Sequence, residues 1–112
     1  MSGLTVEIVP NSNATIARLI GAADLNGSPE LDRKLLGLSA QRPKVLIFDL
    51  SGLTFISSLA MGSLINVAHG LSKHGGKVAI AGAQPLVAEA LQRIRMEAIL
   101  PMYATVDDAA AA

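Results

Sequence analysis

Ser57 and Ser58 stand together just ahead of an apolar stretch with helical spacing, and their hydroxyls are the groups of this chain best placed to do chemistry. The first turn of a helix leaves backbone N–H groups unpaired and carries the positive end of the helix dipole. A serine there either caps the helix or holds an anion such as a covalent phosphate. Position alone favours the cap, because serine is so common at that place. Asp24 and Asp49 are expected near strand ends on the same edge of a sheet, where short carboxylates also serve turns and caps.

The remaining candidates fail on spacing. Gly70-Leu71-Ser72-Lys73-His74-Gly75-Gly76-Lys77 has Gly76 where a phosphate-binding loop needs its lysine, and Val78 follows Lys77 where Ser or Thr is required. A helix end and a turn into the next strand account for these glycines. His69 and His74 are spaced so that a helix separates them, and no cysteine or nearby carboxylate completes a metal set. No Gly-x-Ser-x-Gly elbow surrounds a serine, and neither histidine has a sequence context for activating one. The chain therefore reads as a binding module and not an enzyme, with no metal or cofactor expected.

Composition narrows the partners. Nine Lys and Arg against nine Asp and Glu give no net charge, without the basic excess that phosphate-backbone binding requires. One Tyr, no Trp and two Phe leave almost nothing for base stacking, so nucleic acid is not an expected partner. The absence of cysteine excludes disulfides and thiolate metal sites and fits a cytoplasmic protein. No signal peptide is read at the amino terminus, and no apolar segment approaches the ~20 residues needed to span a bilayer. Apolar residues make up 51% of the 112 residues, enough to build a core, and residues 1–112 read as a single domain.

The elements that must position the serines follow from periodicity. Residues 4–9 alternate apolar and polar, and residues 14–20 read as a second strand after the turn-forming Pro10-Asn11-Ser12-Asn13, which predicts a hairpin. Ser28-Pro29-Glu30 predicts a helix start with Ser28 as N-cap and a Glu30–Lys34 pair, the helix running to about residue 39. Residues 44–50 contain Val45-Leu46-Ile47-Phe48, the mark of a central strand covered on both faces, which Gly52 is expected to break.

From 58 to 74, Ala60, Met61, Leu64, Ile65, Ala68 and Leu71 recur at helical spacing, with Lys73 and His74 in the last turn and Gly75 ending it. Residues 78–81 predict a strand, Pro85 opens a helix with Val87, Leu91 and Ile94 on one face, and residues 99–103 predict a short final strand. Thr105 and Asp108 resemble a capping box for a terminal helix. Strand and helix alternate from residue 44 onward, which implies right-handed parallel crossovers, whereas the opening hairpin is antiparallel. The expected fold is α/β, a mixed β-sheet with about four helices.

The segment Asp49-Leu50-Ser51-Gly52-Leu53-Thr54-Phe55-Ile56-Ser57-Ser58-Leu59-Ala60-Met61-Gly62 resembles the STAS domain family, and especially its bacterial anti-sigma factor antagonists. The family pattern is a strand ending in Asp or Asn-Leu, a short turn, then Phe-x-Asp/Ser-Ser-x-Gly-Leu opening a helix. The resemblance covers most of the chain. Gly21-Ala22-Ala23-Asp24 matches the family's Gly-x-Leu-Asp, and Gly75-Gly76-Lys77-Val78, Pro85 and Ile99-Leu100-Pro101-Met102-Tyr103 fall in familiar places. Ser57 stands where aspartate is common, Ala60 where glycine is, and Ala22 at a position often acidic.

The resemblance implies that Ser58 is the phosphorylated serine and that Asp24 belongs to its partner-binding surroundings. It implies an anti-sigma factor antagonist that binds an anti-sigma factor/serine kinase when Ser58 is unphosphorylated, with a phosphatase to reset it. The outer face of the helix, with Leu59, Gly62, Ser63 and Asn66, joins Asp24, Ser57 and Ser58 as the expected partner-binding surface. Gly62 and Gly70 each cost a helix about 1 kcal/mol relative to Ala, which fits either close approach of a partner or packing beneath the chain's own loops. Two other functions fit the same residues: a non-switching STAS subunit of a transporter or sensory assembly, and a small phosphate- or nucleotide-binding protein.

Overall fold

Apolar alternation along the central strands sorts side chains onto two faces, and the helices are arranged so that both are covered. The computed structural model describes residues 3–11 and 14–112. Its strands are β1 Thr5–Pro10, β2 Thr15–Ala23, β3 Val45–Ile56, β4 Lys77–Ala81 and β5 Met102–Tyr103, and its α-helices are α1 Ser28–Gln41, α2 Ser58–Ser72, α3 Pro85–Arg93 and α4 Val106–Ala111. The strands lie in the order β1-β2-β3-β4-β5; β1 and β2 pair antiparallel and every later pair is parallel. This is the mixed sheet expected from the sequence.

On one face, Ala17 and Leu19 of β2, Leu46, Phe48 and Leu50 of β3, and Val78 and Ile80 of β4 pack against α1, α2 and α3. On the other, Ile16, Ile47, Ala79 and Ala81 meet Ala109 of α4 in a smaller cluster. The larger core receives Leu31, Leu35 and Leu38 from α1, Leu64, Ala68 and Leu71 from α2, and Val87 and Leu91 from α3. Each such leucine taken fully out of water contributes roughly 1.5 to 3 kcal/mol, so α2 is held by its buried stripe more than by helix propensity.

Several local expectations are corrected. The third strand does not stop at Gly52 but continues to Ile56 beside β2, with register shifts between Arg18 and Ile20 and between Gly21 and Ala22. Gly52 lies opposite Ile20, where an added Cβ would stand 3.2 Å from the isoleucine Cγ1, so glycine serves close packing there. Ser28 is the first residue of α1, with Gly27 as its cap; the Ser28 hydroxyl donates to the Asp24 carbonyl at 3.3 Å. Glu30 pairs with Arg33 at 2.9 Å, one position short of Lys34.

In α2, Val67 is buried and Ile65 only half-buried, a small rotation of the predicted stripe. Ile94 falls just past the end of α3 and is exposed. Residues 12 and 13 of the predicted hairpin turn lie outside the described residues. The last strand shrinks to two residues, Met102–Tyr103. Its register explains this: Ile80 is opposite Met102, so Val78 would need to accept a hydrogen bond from residue 101, and Pro101 has no N–H.

Candidate functional site

The carboxyl ends of β2 and β3 finish side by side, with Ala23 opposite Ile56, and the Ser57 N–H donates to the Ala23 carbonyl at 2.8 Å. This bond brings together the backbones that lead into Asp24 and into α2. Ser57 has extended backbone angles, its Oγ accepts from the Ala60 N–H at 3.1 Å, and its carbonyl accepts from the Met61 N–H at 3.0 Å. It is the N-cap. Ser58, the first residue of α2, is exposed, and its hydroxyl makes no hydrogen bond among the described residues. The two serines therefore divide the possibilities left open by the sequence: one caps, and the other presents its hydroxyl to solvent at the positive end of the helix.

Asp24 is half-buried, and its Oδ1 accepts from the Gly27 N–H at 3.0 Å, capping the short turn before α1. Asp49 does not join this group. Strand alternation puts its side chain with Ile47 on the α4 face, where it is 5% exposed, accepts from Arg18 Nε at 3.2 Å and accepts from the Ser51 N–H at 3.0 Å. Arg18 also reaches Glu7 at 3.7 Å. Burial pushes the Asp49 carboxyl upward, but the Ser51 hydrogen bonds, the Arg18 hydrogen bond and the Arg18 charge outweigh it and hold the carboxyl below its ordinary value.

Along α2, Leu59 is 55% exposed and Asn66 is exposed, while Ser63 is half-buried. The Ser63 hydroxyl lies 2.6 Å from Asp32 Oδ1 and 3.2 Å from the Leu59 carbonyl, both acceptors. Asp32, Leu36, Ser63, Asn66 and Val67 line a shallow groove of about 230 Å³ between α1 and α2. A Cβ added at Gly62 or Gly70 would meet nothing within 4 Å. Packing beneath the chain's own loops therefore does not explain these two glycines.

Three exposed apolar residues at the same end of the sheet escape the sequence reading. Leu25 follows Asp24 and is 69% exposed, Phe55 precedes Ile56 and is 49% exposed, and Leu86 opens α3 and is 68% exposed. Phe55 and Leu86 line a cleft of about 210 Å³ with Ile56, Val87 and Ala90. Phe55 faces outward because β3 carries an extra residue: Gly21 pairs with Leu53 and Ala22 with Phe55, which leaves Thr54 as a bulge whose hydroxyl donates to the Gly21 carbonyl at 2.9 Å. Adjacent apolar Phe55-Ile56 beyond the continuous apolar run of β3 is the signal that could have exposed this, since neighbours in a strand face opposite ways. Among the described residues no three His, Cys, Asp or Glu side chains are grouped to hold a metal, and no helix is long and apolar enough to cross a membrane.

The STAS domain family's sequence pattern matches residues 5–109. Among solved structures, the chain is similar to an anti-sigma factor antagonist from Mycobacterium paratuberculosis, with 22% identity, TM-score 0.89, and coverage of 96% of this chain and 92% of that one. It is also similar to the anti-sigma factor antagonist SpoIIAA in its unphosphorylated form, with 18% identity, TM-score 0.78, and coverage of 94% and 92%. A sulfate transporter family protein from Wolinella succinogenes has the fold too, with 21% identity, TM-score 0.71, and coverage of 86% and 80%.

Proposed function

This chain belongs to the STAS domain family, and from that membership we propose that it is an anti-sigma factor antagonist working by phosphorylation-controlled partner switching. The observation that carries the reading is the division between the serines: Ser57 is occupied as the cap of α2, and Ser58 beside it offers an exposed hydroxyl without an internal partner. In the unphosphorylated state the partner, an anti-sigma factor that is also a serine kinase, docks over Asp24, Ser57, Ser58, Leu59, Gly62, Ser63 and Asn66, with Leu25 and Phe55 adding apolar area. A phosphatase resets the switch, and the setting is cytoplasmic.

Phosphorylation adds about −1.5 to −2 charges at Ser58. The helix N-terminus tolerates that charge and favours it by roughly 0.3 to 1 kcal/mol, so the fold should survive. Residues 45–72, which span β3 and α2, contain no Lys or Arg to neutralise the phosphate. Its charge is instead presented to whatever docks, and desolvating it against an apolar or acidic partner opposes binding. The test is incubation with candidate kinases and ATP, followed by intact-mass analysis of the native protein and of Ser58→Ala. One added phosphate on the native protein and none on the variant is expected; phosphate elsewhere would remove Ser58 from the proposal.

A second reading, a non-switching subunit of a transporter or sensory assembly, draws on the likeness to the transporter family protein. Capture experiments separate the two, the first giving a sigma-regulating kinase and the second transporter subunits. A phosphate- or nucleotide-binding role would show as tight stoichiometric nucleotide binding in calorimetry, a result the switch reading does not expect.

A further inference from the structure

Pro101 leaves a gap in the sheet on the side away from Ser58. The Ile80 N–H donates to the Pro101 carbonyl at 2.9 Å and the Gly82 N–H to the Tyr103 carbonyl at 3.1 Å, so β4 is joined to the following chain at its carboxyl end. Two residues earlier, Val78 points its N–H and carbonyl to the same side, but among the described residues no backbone hydrogen bond joins it to residues 99–101. The chain there bends through the turn Met96–Ala98, and the Ile99 N–H is taken by the Met96 carbonyl at 2.8 Å.

The result is a cleft of about 410 Å³ over the open edge of β4, within the size range of small-molecule sites. Its apolar wall is formed by Ala68 of α2, Val78 and Ala79 of β4, Ile99 and Leu100 after the turn, and Ala109 of α4. Ile99 is 40% exposed, an apolar side chain with an open face. The ionisable side chains of the lining are His69, Lys77 and Tyr103, with no Asp or Glu side chain among them, and Ala112 after α4 also belongs to it. Neither His69 nor Lys77 has an ion-pair partner among the described residues.

We propose that this cleft binds a small amphipathic carboxylate, with its apolar chain laid over Val78, Ile99 and Ala109 and its head group drawn to the Lys77 ammonium, with the His69 ring as a further hydrogen-bonding group of the lining. The wall supplies area to remove from water, and the Lys77 ammonium supplies charge-assisted hydrogen bonds that an uncharged or cationic analogue cannot use. The Val78 N–H, which makes no backbone hydrogen bond to residues 99–101 where the chain bends away through the Met96–Ala98 turn, is a further donor at the floor. The site is independent of the Ser58 surface.

The test is a titration of the full chain with sodium octanoate, below its micelle-forming concentration, followed in amide nitrogen–proton spectra. Octan-1-ol and octylammonium serve as controls. Saturable octanoate shifts are expected at Val78, Ala79, Ile99 and Tyr103, with octylammonium failing to bind there. Removing a charge-assisted bond with Lys77→Gln should weaken octanoate about tenfold, and His69→Gln should do so to a smaller extent. Ala110→Leu, which places a larger side chain on the α4 wall, should abolish binding while the spectrum stays folded. Absence of saturable octanoate shifts, equal binding of octylammonium, or unchanged affinity in Lys77→Gln would overturn the proposal.

Discussion

Leu64 and Leu71 of α2 are sealed against the sheet, while Ser58 and Leu59, less than two turns before Leu64 on the same helix, face solvent around a serine cap. One side of α2 supplies its hold on the core, including Ala60 and Met61 in the first turn, and the other turns Ser58 and Leu59 to solvent. The comparison teaches how a switch can sit on a rigid element: a modification at the first turn need not disturb the stripe that fixes the helix. Substitutions in the stripe should therefore change stability, and substitutions at Ser58 and Leu59 should change binding.

The largest effect is expected from Leu64→Ala, which empties a fully buried site and should cost about 2 to 5 kcal/mol in denaturant unfolding. A loss below about 0.5 kcal/mol, the size of a surface change, would contradict the core assignment. Next comes Asp49→Ala, which leaves Arg18 without its buried partner and should cost about 1 to 3 kcal/mol near neutral pH. Because the folded carboxyl is held below its ordinary value, its contribution is present above the unfolded pKa and is lost as pH falls through the folded one. The native protein should thus lose its advantage over Asp49→Ala as pH drops below about 4. A difference that stayed constant through that range would place the effect in packing alone.

Smaller effects sharpen the contrast at the two serines. Ser57→Ala removes the bond to the Ala60 N–H and should cost about 1 kcal/mol, whereas Ser58→Ala should stay within about 0.5 kcal/mol. Equal losses would mean that both serines support the fold. Gly62→Ala, with open space around the new Cβ, should stabilise the helix by up to about 1 kcal/mol. The same methyl should weaken partner binding if a partner approaches closely there, and unchanged affinity would take Gly62 out of the proposed surface.

The β3-to-α2 segment also shows what the sequence could and could not reveal. The stripe of α2 was legible because Ala60, Met61, Leu64, Ile65, Ala68 and Leu71 follow the helical period; in the folded protein Val67 joins them and Ile65 is only half-buried. The end of β3 was not, because Leu50, Leu53 and Ile56 turn inward at steps of three residues, where a regular strand has steps of two. The shifted pairings at Gly52 and Phe55 account for those steps, and bulges of this kind leave no simple periodic signature. For the same reason Phe55 was read as part of a motif and not as an exposed surface residue. The placement of Asp24 beside the Ser57 backbone followed from both lying at strand ends. Asp49, also expected near a strand end, was misplaced because β3 runs on past Gly52 to Ile56, which leaves Asp49 mid-strand with its side chain on the α4 face.

The central claim is tested most directly by measuring the affinity of an anti-sigma factor kinase partner for the unmodified protein and for protein stoichiometrically phosphorylated on Ser58, with melting temperatures recorded on the same samples. The account predicts a loss of affinity of at least about tenfold, equivalent to 1.4 kcal/mol, with little change in melting temperature. Equal affinities, or a loss matched by unfolding of the phosphorylated chain, would contradict it.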